Sequence, residues 1–313
     1  MKSCTAIAPS STANLGPGYD VFGLALDPLK DKVQIVKGPG RARRVEVRML
    51  GEQSEWVPSE AESNSAGLVV KRMAEVFDLE DDLLVTVVKG VPVGSGMGSS
   101  GASAAAAAMA FNRLFDLRMK KSELIRFAVE GELASAGAKH YDNVSPSLLG
   151  GFVVVRKSPE LRFVRVSPPR DLVLVVAFPM MDVPRRKTEF ARGVLPEQVS
   201  LKSVVHNVSN ASLIVAGMFS GDVAMIAQGI NDAIVEPARK HLIFGYDAVR
   251  RRAMDAGALA VTISGAGPSM VSFLKTGKSG RRVAQAMAEG FKEAKLQSRT
   301  FICRPSRGAR VIG

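Results

Sequence analysis

The sequence predicts an α+β fold with two domains, and three observations carry this prediction. At 313 residues the chain is long enough to build two hydrophobic cores, and 46% of its residues are hydrophobic, which is typical of a globular protein. Short apolar runs rich in β-branched residues alternate with longer segments of helical periodicity. Their order in the second half is typical of helices packed on an antiparallel sheet. Turn signals at 157–159 and 167–169 interrupt the chain, and we place the boundary at 157, giving domains 1–157 and 158–313.

In the first half, the helices are predicted from capping residues and from uninterrupted helix formers. Asn64 and Ser65 can cap a helix whose apolar residues recur at helical spacing, and the alanine-rich run 102–114 contains no helix breaker. Gly150 and Gly151 interrupt the chain before an apolar run. The predicted strands are 1–8, 32–36, 43–48, 83–88, 152–155 and a short one between 159 and 167, and the predicted helices begin at 65, at 102 and at 120, the last ending at 133.

In the second half, buried strands are predicted where short apolar runs lie between turn signals, and helices where the apolar residues follow a longer period. The predicted strands are 172–178, 258–263, 270–274 and 299–303, and the predicted helices are 200–220, 222–231, 244–256 and 280–295.

A glycine- and serine-rich loop between the strand 83–88 and the helix 102–114 is the most informative segment. Glycines allow tight turns that bring backbone N–H groups close to a ligand, serines add hydroxyl groups, and the following helix directs its positive end at the loop. A glycine-rich connection with a serine N-cap would be a purely structural alternative. The loop predicts a polyphosphate site formed by Pro92, Val93, Gly94, Ser95, Gly96, Met97, Gly98, Ser99, Ser100, Gly101, Ala102 and Ser103.

Several known phosphate loops do not fit this segment. The Walker A pattern is absent from the chain, and so are the catalytic motifs of protein kinases. Gly96, Gly98 and Gly101 satisfy the spacing of the dinucleotide fingerprint. The acid that should end a second strand, Asp116, however follows the alanine-rich helix almost directly, which leaves no room for that strand. The serines therefore carry more weight than the glycine spacing.

Three motifs together make the chain resemble the GHMP small-molecule kinases. The pattern P-x-G-x-G-M-G-S-S at 92–100 resembles their ATP loop, with Met97 where the family usually has leucine and Gly101 where it often has alanine. The segment 9–20 resembles the N-terminal motif of the homoserine kinases, and 264–269 resembles the C-terminal glycine-rich motif of the superfamily. The resemblance implies an N-terminal domain like ribosomal protein S5, a ferredoxin-like C-terminal domain, and ATP with Mg²⁺ as cofactors.

The resemblance also implies the metal ligands. Ser100 occupies the position of the family's magnesium-binding serine, and Glu132 lies ten residues before the aspartate of the H-x-D-N motif, which selects it over Glu130. An isolated helical glutamate is more often a solvated surface acid, so the structural alternative stays open. Hard oxygen ligands of this kind suit Mg²⁺.

The substrate pocket is implied by the segment 140–146, which resembles the H-x-D-N-x-x-P motif of the homoserine kinases; an Asx turn capping a helix is the structural alternative. An amino acid substrate needs both signs of charge. Asp20 and Asp142 are candidates for its ammonium, and arginines for its carboxylate, because the guanidinium fork matches two oxygens. The implied substrate-binding residues are Asn14, Asp20, Asp142, Asn143, Arg192 and Arg239, and the implied catalytic residues are Asp142, Asn143 and Thr188.

Two further groups of residues have weaker assignments. Family members place a polar residue near Asn64 at the adenine, although N-capping explains Asn64 equally well. Ser264, Gly265, Ala266 and Gly267 resemble a loop that closes the active site beside the nucleotide loop, and a hairpin turn is the alternative. The sequence identifies no general base, since either Asp142 or Asp20 could polarise the acceptor hydroxyl, and positioning with electrostatics suffices for a loose phosphoryl transition state.

The resemblance implies phosphorylation of the side-chain hydroxyl of L-homoserine to O-phospho-L-homoserine, a step of threonine biosynthesis. Another GHMP kinase activity, on mevalonate or shikimate, is the first alternative. A non-catalytic S5-like module that binds RNA is the second, since the formal net charge is +12. With only three tyrosines and one tryptophan, and basic residues scattered along the chain, we expect no nucleic-acid partner.

The remaining expectations concern location and assembly. The longest apolar runs, such as 172–178, are far shorter than a membrane span, and no secretory signal follows Met1. Two cysteines do not make a disulfide framework. We therefore expect a cytoplasmic protein without membrane contact, and a homodimer because dimers are common among the kinases it resembles.

Overall fold

The first of two sheets contains most of the N-terminal half of the chain. In the computed structural model, which describes residues 2–181, 187–275 and 280–312, seven strands form this sheet in the order β11-β1-β2-β4-β3, with β5 beside β2 and β6 beside β5. The β3–β4 pair is parallel and the other pairs are antiparallel. The strands are β1 (Ser3–Ala13), β2 (Phe22–Lys37), β3 (Val45–Gly51), β4 (Leu83–Lys89), β5 (Phe152–Arg156), β6 (Arg162–Val166) and β11 (Arg310–Ile312).

Strand β2 is much longer than the sequence pattern predicts. Its second part, 32–37, pairs with β4, whereas its first residues, 22–24, pair with β5. The sequence predicted only the second part, because Asp27, Pro28 and the charged residues that follow interrupt the apolar alternation in the middle of the strand. Pairing with β1 along both parts makes β2 continuous in spite of this interruption.

Five helices accompany the first sheet. Helices α1 (Ser65–Val76), α2 (Ser99–Leu114) and α5 (Tyr141–Leu149) pack on its strands, and α3 (Lys121–Ala128) and α4 (Gly131–Ala136) pack on these helices. Helix α2 is central among them, and its alanines 104–108 have no solvent exposure. Small side chains allow α2 to lie close to β1, β2 and α1 at once.

The helix predicted over 120–133 is two helices. The chain leaves α3 after Ala128 and begins α4 at Gly131, where a Cβ atom would lie 2.4 Å from the carbonyl oxygen of Ser65. This close approach of α4 to the start of α1 explains the change of direction, and periodicity alone does not reveal it.

Helix α5 was not predicted as a helix, because its sequence is polar at the start and contains Pro146. Proline cannot donate to the carbonyl of the residue four positions earlier, Asp142. That carbonyl faces Gly23 of β2, where a Cβ atom would lie 1.9 Å from it. The contact between helix and strand thus uses the geometry that the proline imposes.

The second sheet is a four-stranded antiparallel sheet in the order β10-β7-β9-β8. Every residue of three of these strands, β7, β8 and β9, is buried. The strands are β7 (Val173–Pro179), β8 (Ala260–Ile263), β9 (Met270–Leu274) and β10 (Ser298–Cys303), and the helices that accompany them are α6 (Lys187–Gly193), α7 (Leu201–Ser220), α8 (Val223–Gly229), α9 (Val235–Arg239), α10 (Tyr246–Asp255) and α11 (Gly280–Glu293).

The two sheets do not divide at residue 157, where the sequence placed the boundary. Strand β6 lies beyond that residue and still pairs with β5, so the first sheet extends to Val166 and the second begins at Val173. The C-terminal strand β11 then returns to pair with β1. One hydrophobic cluster contains Phe152 of the first sheet together with Phe273 of the second, so the two halves share a core. No helix within the described ranges has the length and hydrophobicity needed to span a bilayer.

We expect Ala106→Leu to lower the free energy of unfolding by about 1–3 kcal/mol, because helix α2 has no room for a larger side chain at this fully buried position. Urea unfolding measures the change. Ala216→Leu on the exposed side of α7 is the matched control and should change stability by less than about 0.5 kcal/mol. Equal effects of the two substitutions would contradict the packing described for α2.

Candidate active site

Three glycine-rich segments that are far apart in the sequence meet where the two sheets adjoin. The backbone N–H of Ser11 donates to Met97 O (3.0 Å), and the N–H of Ser269 donates to Ser95 O (3.1 Å). The hydroxyl of Ser264 donates to Gly96 O and to Thr12 Oγ1, both at 2.9 Å. Three segments therefore form one assembly: the N-terminal motif (9–20), the nucleotide loop (92–103) and the C-terminal glycine-rich loop (264–269).

Glycine is required in the nucleotide loop for two reasons. Gly94, Gly96 and Gly98 have φ values of 69°, 84° and 66°, in the left-handed region that glycine tolerates best. In addition, a Cβ atom at Gly96 would lie 2.5 Å from Gly267 O, and one at Gly98 would lie 2.2 Å from Ser11 Oγ. Side chains at these positions would separate the loop from both neighbouring segments.

The serines of the loop have different tasks. The Ser95 hydroxyl donates to Pro92 O (2.8 Å) and the Ser99 hydroxyl donates to Val91 O (2.8 Å), so both stabilise the loop itself. Ser100 Oγ has no hydrogen-bond partner in the described part of the chain and is free for a ligand. The first N–H groups of α2 also lack acceptors there, as expected at a helix start, which makes this end an anion site.

A buried ion pair supports the loop from below. The carboxylate of Asp31 accepts the backbone N–H groups of Gly90 (2.9 Å) and Val91 (3.0 Å), at the start of the loop. Its other oxygen accepts from the Ser103 hydroxyl (2.6 Å) and pairs with the ammonium of Lys89. Lys89 also donates to Ser99 O (3.1 Å). Ser103, predicted as an ATP contact, is therefore part of the support beneath the loop.

Sequence reasoning missed Asp31 and Lys89, and it also missed Gln53. The side chain of Gln53 accepts the N–H of Val93 at 2.8 Å and so occupies one donor of the loop. The available signal was two charged residues at buried positions of apolar strands, because such residues are rarely fully buried unless they are paired.

Asp142 and Asn143 lie in the first turn of α5, directly beside the loop. A Cβ atom at Gly98 would lie 3.2 Å from Asn143 Oδ1, and Ser11 donates its hydroxyl to Asn143 O (3.2 Å). Asp142 is buried, and burial together with the nearby charge of Asp20 raises the pKa of its carboxyl to about 6. The structure thus brings both predicted residues of the H-x-D-N motif to the end of the loop where α2 begins.

Glu132 is a buried carboxylate with one oxygen that lacks a partner among the described residues. Its side chain is 4% exposed, and Oε1 has no hydrogen-bond partner in the described part of the chain, whereas Oε2 lies 3.3 Å from His140 Nδ1. Burial of the ring opposes its charged form, but the contact with Glu132 raises the pKa of His140 above its ordinary value. A buried carboxylate oxygen without a partner is costly unless a ligand completes it.

The described residues contain no cluster of three or more His, Cys, Asp and Glu arranged around a metal position. This donor set fits Mg²⁺, which is commonly held by one or two protein oxygens together with phosphate oxygens and water. Ser100 and Glu132 therefore stay the predicted ligands.

A charged group surrounds Tyr19 on the side of the site that belongs to the second sheet. Arg192 and Arg239 lie over the Tyr19 ring, with guanidinium carbons 5.4 Å and 5.0 Å from its centroid. Asp20 accepts from Arg192 (2.7 Å) and from Lys157 (2.8 Å). Burial works against the charged form of Asp20, but these two hydrogen bonds outweigh it and hold the pKa of the carboxyl below its ordinary value.

The two arginines differ in what they have left to offer a ligand. Arg239 is buried and donates to Ala191 O (2.8 Å) and Gly265 O (3.3 Å), which fixes its orientation. Arg192 keeps a buried Nε atom without a partner in the described part of the chain. Asn14 links this group to the loops, since its amide donates to Gly265 O (2.8 Å) and accepts the N–H of Asp20 (3.1 Å). The structure thereby brings together all the substrate residues predicted in this region.

Thr188 lies in the first turn of α6, and its neighbour Lys187 reaches both glycine-rich loops. The ammonium of Lys187 donates to Gly94 O (2.8 Å) and to Gly267 O. Sequence reasoning missed Lys187. Thr188 makes no side-chain hydrogen bond to a described residue, and its catalytic role stays a prediction.

Asn64 fills the capping role that the sequence left as an alternative. Its Oδ1 accepts the N–H groups of Ala66 (3.0 Å) and Gly67 (3.1 Å), and its Nδ2 donates to Pro58 O (2.7 Å). Both ends of the amide are thus engaged within the protein, and a contact with adenine stays a prediction.

Comparisons with known proteins agree with this geometry. The family model described as "GHMP kinases N terminal domain" matches residues 64–151, and the model "GHMP kinases C terminal" matches 214–293. A homoserine kinase of Natronomonas pharaonis is 40% identical over 308 residues, covering 98% of this chain and 99% of that protein. A homoserine kinase of Methanococcus vannielii is 38% identical over 88% of this chain and 89% of that protein.

Solved structures give the same result. The crystal structure of a homoserine kinase from Cytophaga hutchinsonii superimposes with a TM-score of 0.93 and 34% identity, covering 100% of this chain and 98% of that one. The two-domain α+β architecture of the GHMP kinases, expected from the motifs, is therefore confirmed.

We expect Asp31→Ala to lower the free energy of unfolding by about 3–5 kcal/mol, because it leaves the ammonium of Lys89 buried without a partner and two loop N–H groups without an acceptor. Chemical denaturation measures this change. Asp81→Ala removes the partly exposed Lys37–Asp81 pair and serves as the control, with an expected loss below about 1 kcal/mol. A loss at Asp31 no larger than at Asp81 would contradict the supporting role of this pair.

Proposed function

The chain belongs to the GHMP kinases, and within them to the homoserine kinases, and we propose that it transfers the γ-phosphate of ATP to the side-chain hydroxyl of L-homoserine. The product is O-phospho-L-homoserine, an intermediate of threonine biosynthesis. One observation carries the proposal beyond the family relationship. An acidic and two basic side chains, matched to an amino acid zwitterion, lie around Tyr19 next to a phosphate-binding loop.

The nucleotide loop supplies the phosphate site. Its free N–H groups and the positive end of α2 suit the triphosphate, and the glycines allow the phosphates to approach the backbone closely. Because phosphoryl transfer has a loose transition state, holding the donor in line with the acceptor provides much of the catalysis.

The charged group around Tyr19 suits the two ends of the amino acid. We assign the substrate carboxylate to Arg192 and Arg239, since a guanidinium fork binds two carboxylate oxygens, and the Nε atom of Arg192 has no partner among the described residues. We assign the ammonium to Asp20. In the structure Asp20 accepts from Arg192, so substrate binding replaces one internal ion pair by two pairs with the ligand.

The acceptor hydroxyl is expected between this group and the nucleotide loop, where Asp142 and Asn143 lie. Asp142 as a carboxylate can accept the hydrogen bond of the hydroxyl and orient it, and Asn143 can fix its direction from beside Gly98. A separate strong base is not required for a loose transition state, so we assign both residues to positioning and polarisation.

Magnesium completes the proposed site. Bound Mg²⁺ would neutralise charge on the phosphates, and Ser100 and Glu132 are the residues that would hold it. The buried Oε1 of Glu132, which has no partner within the described ranges, supports this assignment. A cytoplasmic location and a homodimer likewise stay predictions.

A phosphotransfer assay with ATP and Mg²⁺ tests the function directly. We expect rapid product formation with L-homoserine and none with mevalonate or shikimate, because these two acids lack the ammonium that Asp20 is assigned to bind. Product with one of them instead would keep the kinase and overturn the pocket assignment. RNA binding without phosphotransfer to any acceptor would overturn the proposal as a whole.

Arg192 and Arg239 together form the proposed carboxylate clamp. Removing the charge of one of them should reduce the selectivity for the amino acid. We expect the native enzyme to prefer L-homoserine over 2-amino-1,4-butanediol, which has a hydroxymethyl group in place of the carboxylate, by about 10²- to 10³-fold in kcat/KM. Arg192→Gln should reduce this preference to less than about tenfold, because the clamp then has one cation fewer. Arg162→Gln, at an exposed pair, is the control and should keep the full preference. Unchanged preference in Arg192→Gln would contradict the assignment.

The pH dependence of kcat/KM for homoserine should report Asp142. Its raised pKa of about 6 means that the carboxylate is lost as the pH falls below that value, so kcat/KM should decline on the acid side from about pH 6. Lys157 holds this pKa down through its charge, so Lys157→Met should move the acid limb to higher pH. Lys202→Met, exposed on α7, should leave the limb in place. An acid limb that does not respond to Lys157 would argue against Asp142 as its source.

A further inference from the structure

Lys187 occupies an unusual position for a lysine. Its ammonium lies between the nucleotide loop and the C-terminal glycine-rich loop and is held by two backbone carbonyls, those of Gly94 (2.8 Å) and Gly267. No carboxylate among the described residues pairs with it. A cation bonded to neutral acceptors alone keeps most of the cost of leaving water, because carbonyl dipoles do not neutralise its charge.

The charges around Lys187 increase this cost. Among the described residues, Arg239 of α9 is the charged group that acts on the ammonium, and its charge repels that of Lys187. The two glycine-rich loops contribute carbonyl groups and no side-chain charge at this point. On α6 itself, Glu189 is two residues further on and so points to a different side of the helix, while Arg192 is committed to Asp20. Burial, and to a lesser extent Arg239, lowers the pKa of Lys187 to about 7.

An anion that binds at the nucleotide loop would supply the missing negative charge. We propose that Lys187 is a phosphate ligand of the bound nucleotide: the ammonium that the Gly94 and Gly267 carbonyls hold between the two loops turns to a phosphate oxygen when ATP binds. The inference rests on the proposed ATP-dependent function and adds one residue to its nucleotide site. Lysine is suited to this role, because its compact charge and rotatable donors bind phosphate without a fixed geometry.

The position of Lys187 favours phosphate over the carboxylate of the amino acid. Both carbonyls that hold the ammonium belong to glycine-rich loops, and one of these loops is the nucleotide loop itself. The two arginines assigned to the substrate carboxylate lie over the ring of Tyr19 instead. A long flexible side chain anchored at the start of α6 can leave the two carbonyls without any change of fold.

Binding to phosphate should restore the ordinary, high pKa of the ammonium, so the complex binds a proton that the free protein has partly lost. With a free-protein pKa of about 7, linkage predicts that affinity for the nucleotide falls as the pH rises. Between pH 6.5 and pH 8.5 the dissociation constant should increase by about 20- to 30-fold from this group alone.

The experiment measures the dissociation constant of the magnesium complex of AMPPNP at several pH values by calorimetry, without homoserine. For the native protein we expect the increase just described, beyond any titration of AMPPNP, which all variants share. Lys187→Met should bind about tenfold or more weakly at pH 6.5 and lose the protein's part of the pH dependence. Lys187→Arg keeps a permanent charge and should bind tightly with no such dependence. Lys202→Met, an exposed lysine on α7, is the control and should behave as the native protein.

Two outcomes would overturn the proposal. Coinciding pH curves for the native protein and Lys187→Met would mean that Lys187 does not exchange its proton on nucleotide binding. A lower unfolding temperature of Lys187→Met, with native affinity for AMPPNP, would make the lysine a structural link between the loops. Since homoserine is absent from these titrations, failure of the homoserine assay would leave their result intact, and the two proposals can fail separately.

Discussion

The buried pair of Asp31 and Lys89 is the interaction on which the nucleotide site depends. Asp31 belongs to β2 and Lys89 ends β4, so the pair joins two central strands of the first sheet. The same carboxylate accepts the N–H groups of Gly90 and Val91 at the start of the nucleotide loop and the hydroxyl of Ser103 in α2, and so fixes both the loop and the helix relative to the sheet. A buried ion pair is stable only when its remaining hydrogen-bonding capacity is filled, and here the loop fills it. The fold and the geometry of the loop are therefore stabilised by the same group.

The geometry of the nucleotide loop also depends on the second half of the chain. The hydroxyl of Ser264 and the N–H of Ser269 bind carbonyls of the nucleotide loop, and the backbones approach so closely at Gly96 that no side chain fits. The loop is thus held from below by the first sheet and from the side by the second. These contacts organise the loop before a nucleotide arrives, which limits the entropy lost on binding. The N–H groups at the start of α2, which lack acceptors in the described part of the chain, stay available to the nucleotide.

The sequence allowed the motifs of the site to be predicted, because each motif is a local pattern of glycines, serines and charged residues with a chemical purpose. It did not allow the contacts between motifs to be predicted. Asp31 and Lys89 are far apart in the chain, and nothing near either residue indicates that they pair. Helix α5 was missed because a proline and a polar first turn both argue against a helix in the sequence. In the structure β2 packs closely against this part of the helix, and only the tertiary structure contains that contact. The same holds for the first part of β2, which owes its strand conformation to its pairing partners and not to alternation.

The distribution of charge in the site explains why an anionic nucleotide and a zwitterion can share it. Around Tyr19 the carboxylate of Asp20 pairs with both Arg192 and Lys157, so this side presents both signs of charge and can exchange internal pairs for pairs with an amino acid. On the nucleotide side the described residues supply cations and N–H groups without a matching carboxylate at Lys187, so charge balance there waits for the triphosphate. The side around Tyr19, which presents both signs, favours a ligand that carries both signs, and the side of Lys187 favours one that carries several negative charges. Each substrate is thereby directed to its own half of the site before any contact at the reacting atoms is made.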